Sequence, residues 1–260
     1  MKKFILNSPP DSGGMVHLTG KDFHYLARVR RIKAGSVFTA VLPNGNETEL
    51  MVISVDDDIL KAAVTVAPDR DSPSFIPLYL FQALPKGAKM DLIVRQAAEA
   101  GILEIVPFVS EYTQVKRNAV DASGKAKRWE RIIKEARQQS GSTVQTTVGE
   151  TLCIDEILDY WDKLKNERQG AGIILHQDPL APGSFHDYLD NDPEFAVLAI
   201  GPEGGFSRAE ADRFVARGFK PLCMGKNVLR TETAALYGAA AIQIIISERE
   251  TWLLKKNLNQ

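Results

Sequence analysis

The sequence predicts an α/β domain built on a largely parallel sheet, preceded by a small β-barrel. Three features carry this reading. Up to about residue 70, short apolar runs are separated by turn signals. Beyond that point apolar strand-like runs alternate with helical periodicity, the pattern of a parallel sheet covered by helices. Two glycine loops then follow apolar runs and lead into helices, which is where open α/β sheets bind ligands.

Taken in order, Val37–Leu42, Glu49–Val55 and Ile59–Val66 read as strands, parted by Pro43-Asn44-Gly45 and Asp56-Asp57-Asp58. One helix interrupts them at Asp22–Arg31, with Phe23, Leu26, Ala27 and Arg30 near helical spacing. Pro68–Pro73, polar and bracketed by prolines, reads as a linker. The chain of 260 residues therefore divides into a barrel over 1–72 and an α/β domain over 73–260. In the second domain Leu78–Ala83 is a strand, followed by a helix over Met90–Ala100 that Gly101 terminates. Ile102–Val109 is the next strand and Lys125–Gln139 a basic amphipathic helix. Ala171–His176 and Phe195–Ile200 are uninterrupted apolar runs, as in strands buried on both faces. Arg208–Arg217 and Thr231–Ser247 complete the set as helices.

Net charge is -1, from 32 basic and 33 acidic residues, yet charge is unevenly spread. No acidic residue occurs from Phe23 to Asn46, where Arg28, Arg30, Arg31 and Lys33 cluster. A second basic segment from Thr113 to Arg137 includes Lys116, Arg117, Arg128 and Arg131, and an acidic stretch from Glu150 to Glu194 offsets both. Cys153 and Cys223 have no CxxC spacing and only four histidines occur, so buried thiols in a reducing compartment are expected and no metal site. The amino terminus lacks the apolar core of an export signal. The longest apolar stretch, Ala234–Ile246, is too short to span a bilayer and contains Gln243. A cytoplasmic protein without membrane contact is expected.

The sharpest motif is Ile200-Gly201-Pro202-Glu203-Gly204-Gly205-Phe206-Ser207. Its glycines admit close backbone approach, and Ser207 with Glu210 forms a capping box. By itself the motif reads first as a tight strand-to-helix turn. Nucleotide phosphate binding is disfavoured, because no GxGxxG opens a βαβ unit and no GxxxxGK[ST] occurs. The second motif, Met224-Gly225-Lys226-Asn227-Val228-Leu229-Arg230-Thr231-Glu232-Thr233-Ala234, enters a helix rich in small residues. Arg230 and Glu232 offer a donor for a developing anion and a proton acceptor, or simply an ion pair at a helix start. The small residues over 234–241 suit either internal packing or a dimer face.

Together the two loops resemble the SPOUT methyltransferases, specifically the family that methylates N3 of a uridine in small-subunit (16S) ribosomal RNA. FHYLARVRRIKAGS, ALPKGAKMDLIVRQAAEAGILEIVPF and KRWERIIKEARQQSG are similar to that family's upstream blocks, with Arg30 where the family has leucine. The resemblance implies a PUA-like β-barrel that binds RNA and an α/β domain tied in a trefoil knot. It also implies a homodimer, ribosomal RNA or the small ribosomal subunit as partner, and S-adenosylmethionine as cofactor. By position, Leu175, His176, Ile200, Gly201, Pro202, Gly205, Met224, Gly225, Val228, Leu229 and Thr233 would hold the cofactor. Arg230, Glu232 and Glu203 would be catalytic. His24, Arg28, Arg30, Arg31, Lys33, Lys86, Lys89, Arg128, Arg131 and Arg137 would grip RNA phosphates. Departures from the family fall on the RNA side: Glu111-Tyr112-Thr113 replaces Glu-Arg-Ser, and Ser142 and Thr146 stand where arginine and then proline are usual. Alternatives are a SPOUT enzyme acting on a ribose 2'-hydroxyl or another RNA, and a non-catalytic RNA-binding assembly factor.

Overall fold

A computed structural model describes residues 3–69, 76–114, 124–177 and 184–258. These fall into two compact units, one within Met1–Pro73 plus Arg137–Gln145, the other within Ser74–Ala136 plus Thr146–Gln260.

The first unit holds β1 (Phe4–Ile5), β2 (Met15–Thr19), β3 (Val37–Val41), β4 (Glu47–Val55) and β5 (Ile59–Asp69), in the order β1-β3-β4-β5-β2. Alternation along β4 sends Thr48, Leu50 and Val52 inward, where Phe4, Leu26, Phe38 and Leu60 complete the core. β5 extends past the expected linker start to Asp69, which pairs with Glu47. A register shift between Glu47 and Glu49 accommodates Pro68, since a bulge releases proline from donating to the ladder. The rest of the expected linker lies outside the described residues.

The helix expected over Asp22–Arg31 is instead a short α1 (Gly20–Phe23) followed by a π-helical turn over His24–Val29. Only Phe23 and Leu26 are buried there, too few apolar positions to sustain a 3.6-residue repeat. The turn closes with the Arg30 amide on the Tyr25 carbonyl at 2.9 Å, and Arg31 stops it in the left-handed region at φ 54°. Arg137–Gln145 joins this unit rather than the second. The Ile5 amide donates to the Gln138 side chain at 3.2 Å, and Gln145 Nε2 donates to the Pro43 carbonyl. A single division at 72/73 overlooks this returning segment.

The second unit is a seven-stranded, all-parallel sheet. It comprises β6 (Leu78–Ala83), β7 (Glu104–Val109), β8 (Thr147–Val148), β9 (Leu152–Cys153), β10 (Gly170–Leu175), β11 (Phe195–Ile200) and β12 (Lys220–Leu222). The order is β12-β10-β11-β6-β7-β8, with β9 also on β7. Its helices are α2 (Lys89–Glu99), α3 (Lys125–Ser140, whose residues from Arg137 on belong to the first unit), α4 (Ile154–Glu167), α5 (Phe185–Leu189), α6 (Arg208–Ala216) and α7 (Thr231–Leu258). β11 is buried on both faces, as its unbroken apolar run requires: Ala196, Leu198 and Ile200 belong to one core cluster with residues of α2, α3 and α7, while Phe195, Val197 and Ala199 belong to another with residues of α4 and α6.

The acidic segment contains α4, an element the sequence reading passed over although Ile157, Leu158, Trp161 and Leu164 form its buried stripe. Its acidic side chains face α6, where Arg213 pairs with Asp155 and Arg217 with Asp162. The small residues of α7 pack inward: a Cβ on Gly238 would lie 2.9 Å from Leu198 Cδ2, so glycine lets the helix backbone settle on β11. Leu236, Tyr237 and Ile244 point to solvent.

Candidate active site

Because every strand of the second sheet is parallel, all the carboxyl ends open on one edge. The ends of β12, β10 and β11 frame an open cleft walled by the loops that follow them. Ten of the eleven residues expected to hold the cofactor line it: Leu175, His176, Ile200, Gly201, Pro202, Gly205, Met224, Gly225, Val228 and Leu229. Thr233 does not. It lies two residues beyond Thr231, on another side of the helix; Thr231 takes its place in the lining and Thr233 is exposed.

The loop after β11 doubles back so tightly that a Cβ on Gly201 would sit 2.8 Å from the Gly205 carbonyl carbon. Its exit is fixed by the expected capping box: Ser207 Oγ accepts the Glu210 amide at 3.2 Å, and Glu210 Oε2 accepts the Ser207 amide at 3.1 Å. Glu210 Oε1 also accepts the Glu111 amide at 2.8 Å, joining this loop to the one after β7. At the far side, Thr231 Oγ1 donates to the Gly201 carbonyl at 2.7 Å and accepts from Gln82 Nε2 at 3.0 Å. Gln82 is wholly buried, and its Oε1 has no hydrogen-bond partner. The sequence reading missed Gln82, Thr231 and the outward reach of Glu210. The signal for Gln82 was there: it is the one polar side chain in a strand otherwise buried and apolar.

Of the catalytic candidates, only Glu203 lines the cleft. Lys89 Nζ contacts its Oε1 at 2.6 Å and the Lys86 amide donates to the same oxygen at 3.1 Å. Partial burial opposes ionisation, but these bonds and its own backbone amide outweigh it and hold the carboxyl below its ordinary range. That makes Glu203 a carboxylate at neutral pH and a weak proton acceptor. Arg230 is exposed just before α7, and Glu232 is half-buried with an Oε2 that finds no hydrogen-bond partner; neither lines the cleft.

The basic candidates fall into separate groups. In the first unit His24, Arg28, Arg31 and Lys33 are exposed and Arg30 is half-buried, all at or just beyond the π-turn. In the second, Lys86 is exposed, but Lys89 is paired with Glu203, Arg128 with Asp91 at 2.5 Å, and Arg131 lies 3.9 Å from Glu135. Arg137 is half-buried, its Nε is enclosed without a hydrogen-bond partner, and desolvation lowers its pKa. Lys116 and Arg117 lie outside the described residues. Of the RNA-side departures, Thr146 is buried, its hydroxyl donating to the Ile102 carbonyl at 2.6 Å.

Neither cysteine is deeply buried. Cys153 precedes α4, its amide held by Glu156, and Cys223 lines the cleft with its Sγ 3.2 Å from the Gln177 carbonyl. Among the described residues no His, Cys, Asp and Glu cluster could hold a metal, and no helix is long and apolar enough to cross a membrane.

Comparison with known proteins agrees with this geometry. Residues 72–243 match the RNA methyltransferase domain family and residues 18–65 the RNA methyltransferase PUA domain. The chain is 30% identical over 233 residues to ribosomal RNA small subunit methyltransferase E of Synechocystis, covering 89% of this chain and 73% of that one. It is 28% identical over 230 residues to the protein of that name from Bacillus subtilis, covering 86% and 88%. The crystal structure of a ribosomal RNA small subunit methyltransferase E from Neisseria gonorrhoeae bound to S-adenosyl methionine superposes with a TM-score of 0.75 at 25% identity, over 94% of this chain and 98% of that one. The two units thus have the SPOUT α/β fold and a PUA-like amino-terminal fold, and the chain belongs to the RNA methyltransferase family that includes the ribosomal RNA small subunit methyltransferase E proteins.

Proposed function

We propose that the protein methylates N3 of a uridine in 16S ribosomal RNA, using S-adenosylmethionine. The observation that carries this reading is the cleft itself: two glycine loops at the carboxyl ends of adjacent parallel strands, on a chain of this family. Its chemistry fits the cofactor. Leu175, Ile200, Leu229 and Ala234 would wall the adenine, while backbone groups of Gly201, Pro202, Met224, Gly225 and Val228 would supply polar contacts. When bound, S-adenosylmethionine supplies an electrophilic methyl group on its sulfonium.

N3 of uridine carries a proton at neutral pH, so its lone pair becomes available only as that proton leaves and charge spreads to O2 and O4. Glu203, anionic, anchored by Lys89 and lining the cleft, would accept a hydrogen bond from N3–H and polarise it. Its depressed pKa suits orientation of the N3–H better than full proton capture, and Glu232 is the other candidate acceptor. Arg230 would stabilise the uracil anion through its fixed cationic fork. Arg230 stands just before α7 and Glu232 in its first turn.

The family resemblance further implies a trefoil knot and a homodimer. The exposed apolar residues Leu236, Tyr237 and Ile244 of α7 support α7 as the dimer face, since the small residues of the same helix are spent on internal packing. Ribosomal RNA is the partner we assign, gripped by the exposed basic residues of the first unit, and the cytoplasm its location. Calorimetry with S-adenosylmethionine followed by transfer of labelled methyl to small-subunit RNA tests the reading. Absence of cofactor binding would reduce the protein to an RNA-binding assembly factor.

A further inference from the structure

The carboxyl edge of the sheet carries a second cavity beside the cofactor cleft. Where β12, β10 and β11 end beneath the cleft, β11, β6 and β7 end beneath this cavity, which Lys86, Glu111, Tyr112, Thr113, Glu203 and Gly204 line. Glu203 and Gly204 belong to both linings, so the loop after β11 is their common wall.

Tyr112 is 48% exposed, a large aromatic side chain left open beside that wall. Its backbone is held firmly. The Ser110 amide donates to Thr113 Oγ1 and the Thr113 amide to the Ser110 carbonyl, both at 3.0 Å, while buried Glu210 accepts the Glu111 amide. A Cβ on Gly204 would lie 3.0 Å from Tyr112 Cβ, so the tyrosine rests directly against the cofactor loop. Lys86 contributes an exposed cation. A rigidly mounted ring, a cation and a shared wall with a methyl-donor cleft are what an unstacked base needs: a π-face, a donor for its carbonyl oxygens, and proximity.

Resting on the methyltransferase reading, we propose that this cavity seats the target uracil after it leaves its stack, with Tyr112 as the stacking platform and Lys86 as donor to an exocyclic oxygen.

The full-length protein, loaded with S-adenosylhomocysteine, is irradiated with an oligoribonucleotide carrying 5-iodouridine, and adducts are mapped by mass spectrometry. The expected adduct is on Tyr112. Tyr112→Ala abolishes it and raises the KM for RNA roughly 5- to 150-fold, the range of one lost base stack, with cofactor affinity and melting temperature unchanged. Tyr112→Phe, which keeps the ring, restores the adduct. Adducts mapping only elsewhere, or a Tyr112→Ala protein with wild-type adduct yield and KM, would overturn the proposal. Adduct at Tyr112 without any methyl transfer supports the cavity and defeats the enzymatic reading; methyl transfer without the adduct defeats the cavity alone.

Discussion

Thr231 and Gly201 are joined by a 2.7 Å hydrogen bond that ties the first residue of α7 to the loop after β11. Gln82 completes the chain from the central strand β6. Thr231→Val keeps the shape of the side chain but removes both bonds in a buried setting, leaving the Gly201 carbonyl unsatisfied. We expect a loss of about 1–3 kcal/mol in stability, read by chemical denaturation, and weaker S-adenosylmethionine binding by calorimetry. Thr231→Ser retains both bonds and most of the stability.

Glu210 satisfies two backbone amides, its own helix cap at Ser207 and Glu111 on the neighbouring loop, while 5% exposed. Glu210→Ala leaves both amides without their acceptor. A loss of about 2 kcal/mol or more is expected from the cap and the unsatisfied donor together. Amide hydrogen exchange should rise at Glu111 and Ser207 together, because one carboxylate serves both.

The Lys89–Glu203 contact should respond to acid in one direction only. A carboxyl whose folded pKa is depressed contributes stability that is fully present above its ordinary value near 4.5 and is lost as pH falls through the lower folded value. The loop after β11 is therefore held unchanged across neutral pH and loosens only below about pH 4.5. Lys89→Met should raise the Glu203 pKa, measured by carboxyl carbon chemical shift against pH.

The π-turn presents Arg28 and Arg31 to solvent beside Arg30. Replacing all three with alanine should weaken RNA binding and lower the slope of log affinity against log salt by roughly 2–3, since each lost phosphate contact removes about 0.7–0.9. Affinity and slope equal to wild type would remove this segment from the RNA interface.

Leu236, Tyr237 and Ile244 leave an apolar face on α7. Tyr237→Glu with Ile244→Glu should shift the protein from dimer to monomer in analytical ultracentrifugation while leaving its far-ultraviolet circular dichroism intact. A wild-type protein that is monomeric at micromolar concentration would contradict the assignment.

Much of the second unit was legible because strands buried on both faces announce themselves: Phe195–Ile200 was read to its exact bounds from an unbroken apolar run. The glycine loops were equally readable, since close backbone approach leaves few residue choices at Gly201 and Gly205. What escaped was set by tertiary context. α4 was hidden because its acidic solvent face dominated the composition, although Ile157 and Trp161 kept helical spacing. The π-turn had too little periodicity to distinguish it from an α-helix. The return of Arg137–Gln145 to the first unit depends on pairings such as Gln138 with Ile5, more than a hundred residues away in sequence, which no local pattern encodes. Partnered charges escaped for the same reason: Lys89 and Arg128 look like free cations until Glu203 and Asp91 are placed beside them.

The most direct test is nucleoside analysis of 16S ribosomal RNA from cells lacking the protein. The account predicts that N3-methyluridine disappears and returns when the gene is restored, but not when it is restored with Thr231→Val and Gly201→Val together, which untie and distort the loop after β11. Persistence of N3-methyluridine at wild-type level in the deleted strain would contradict it.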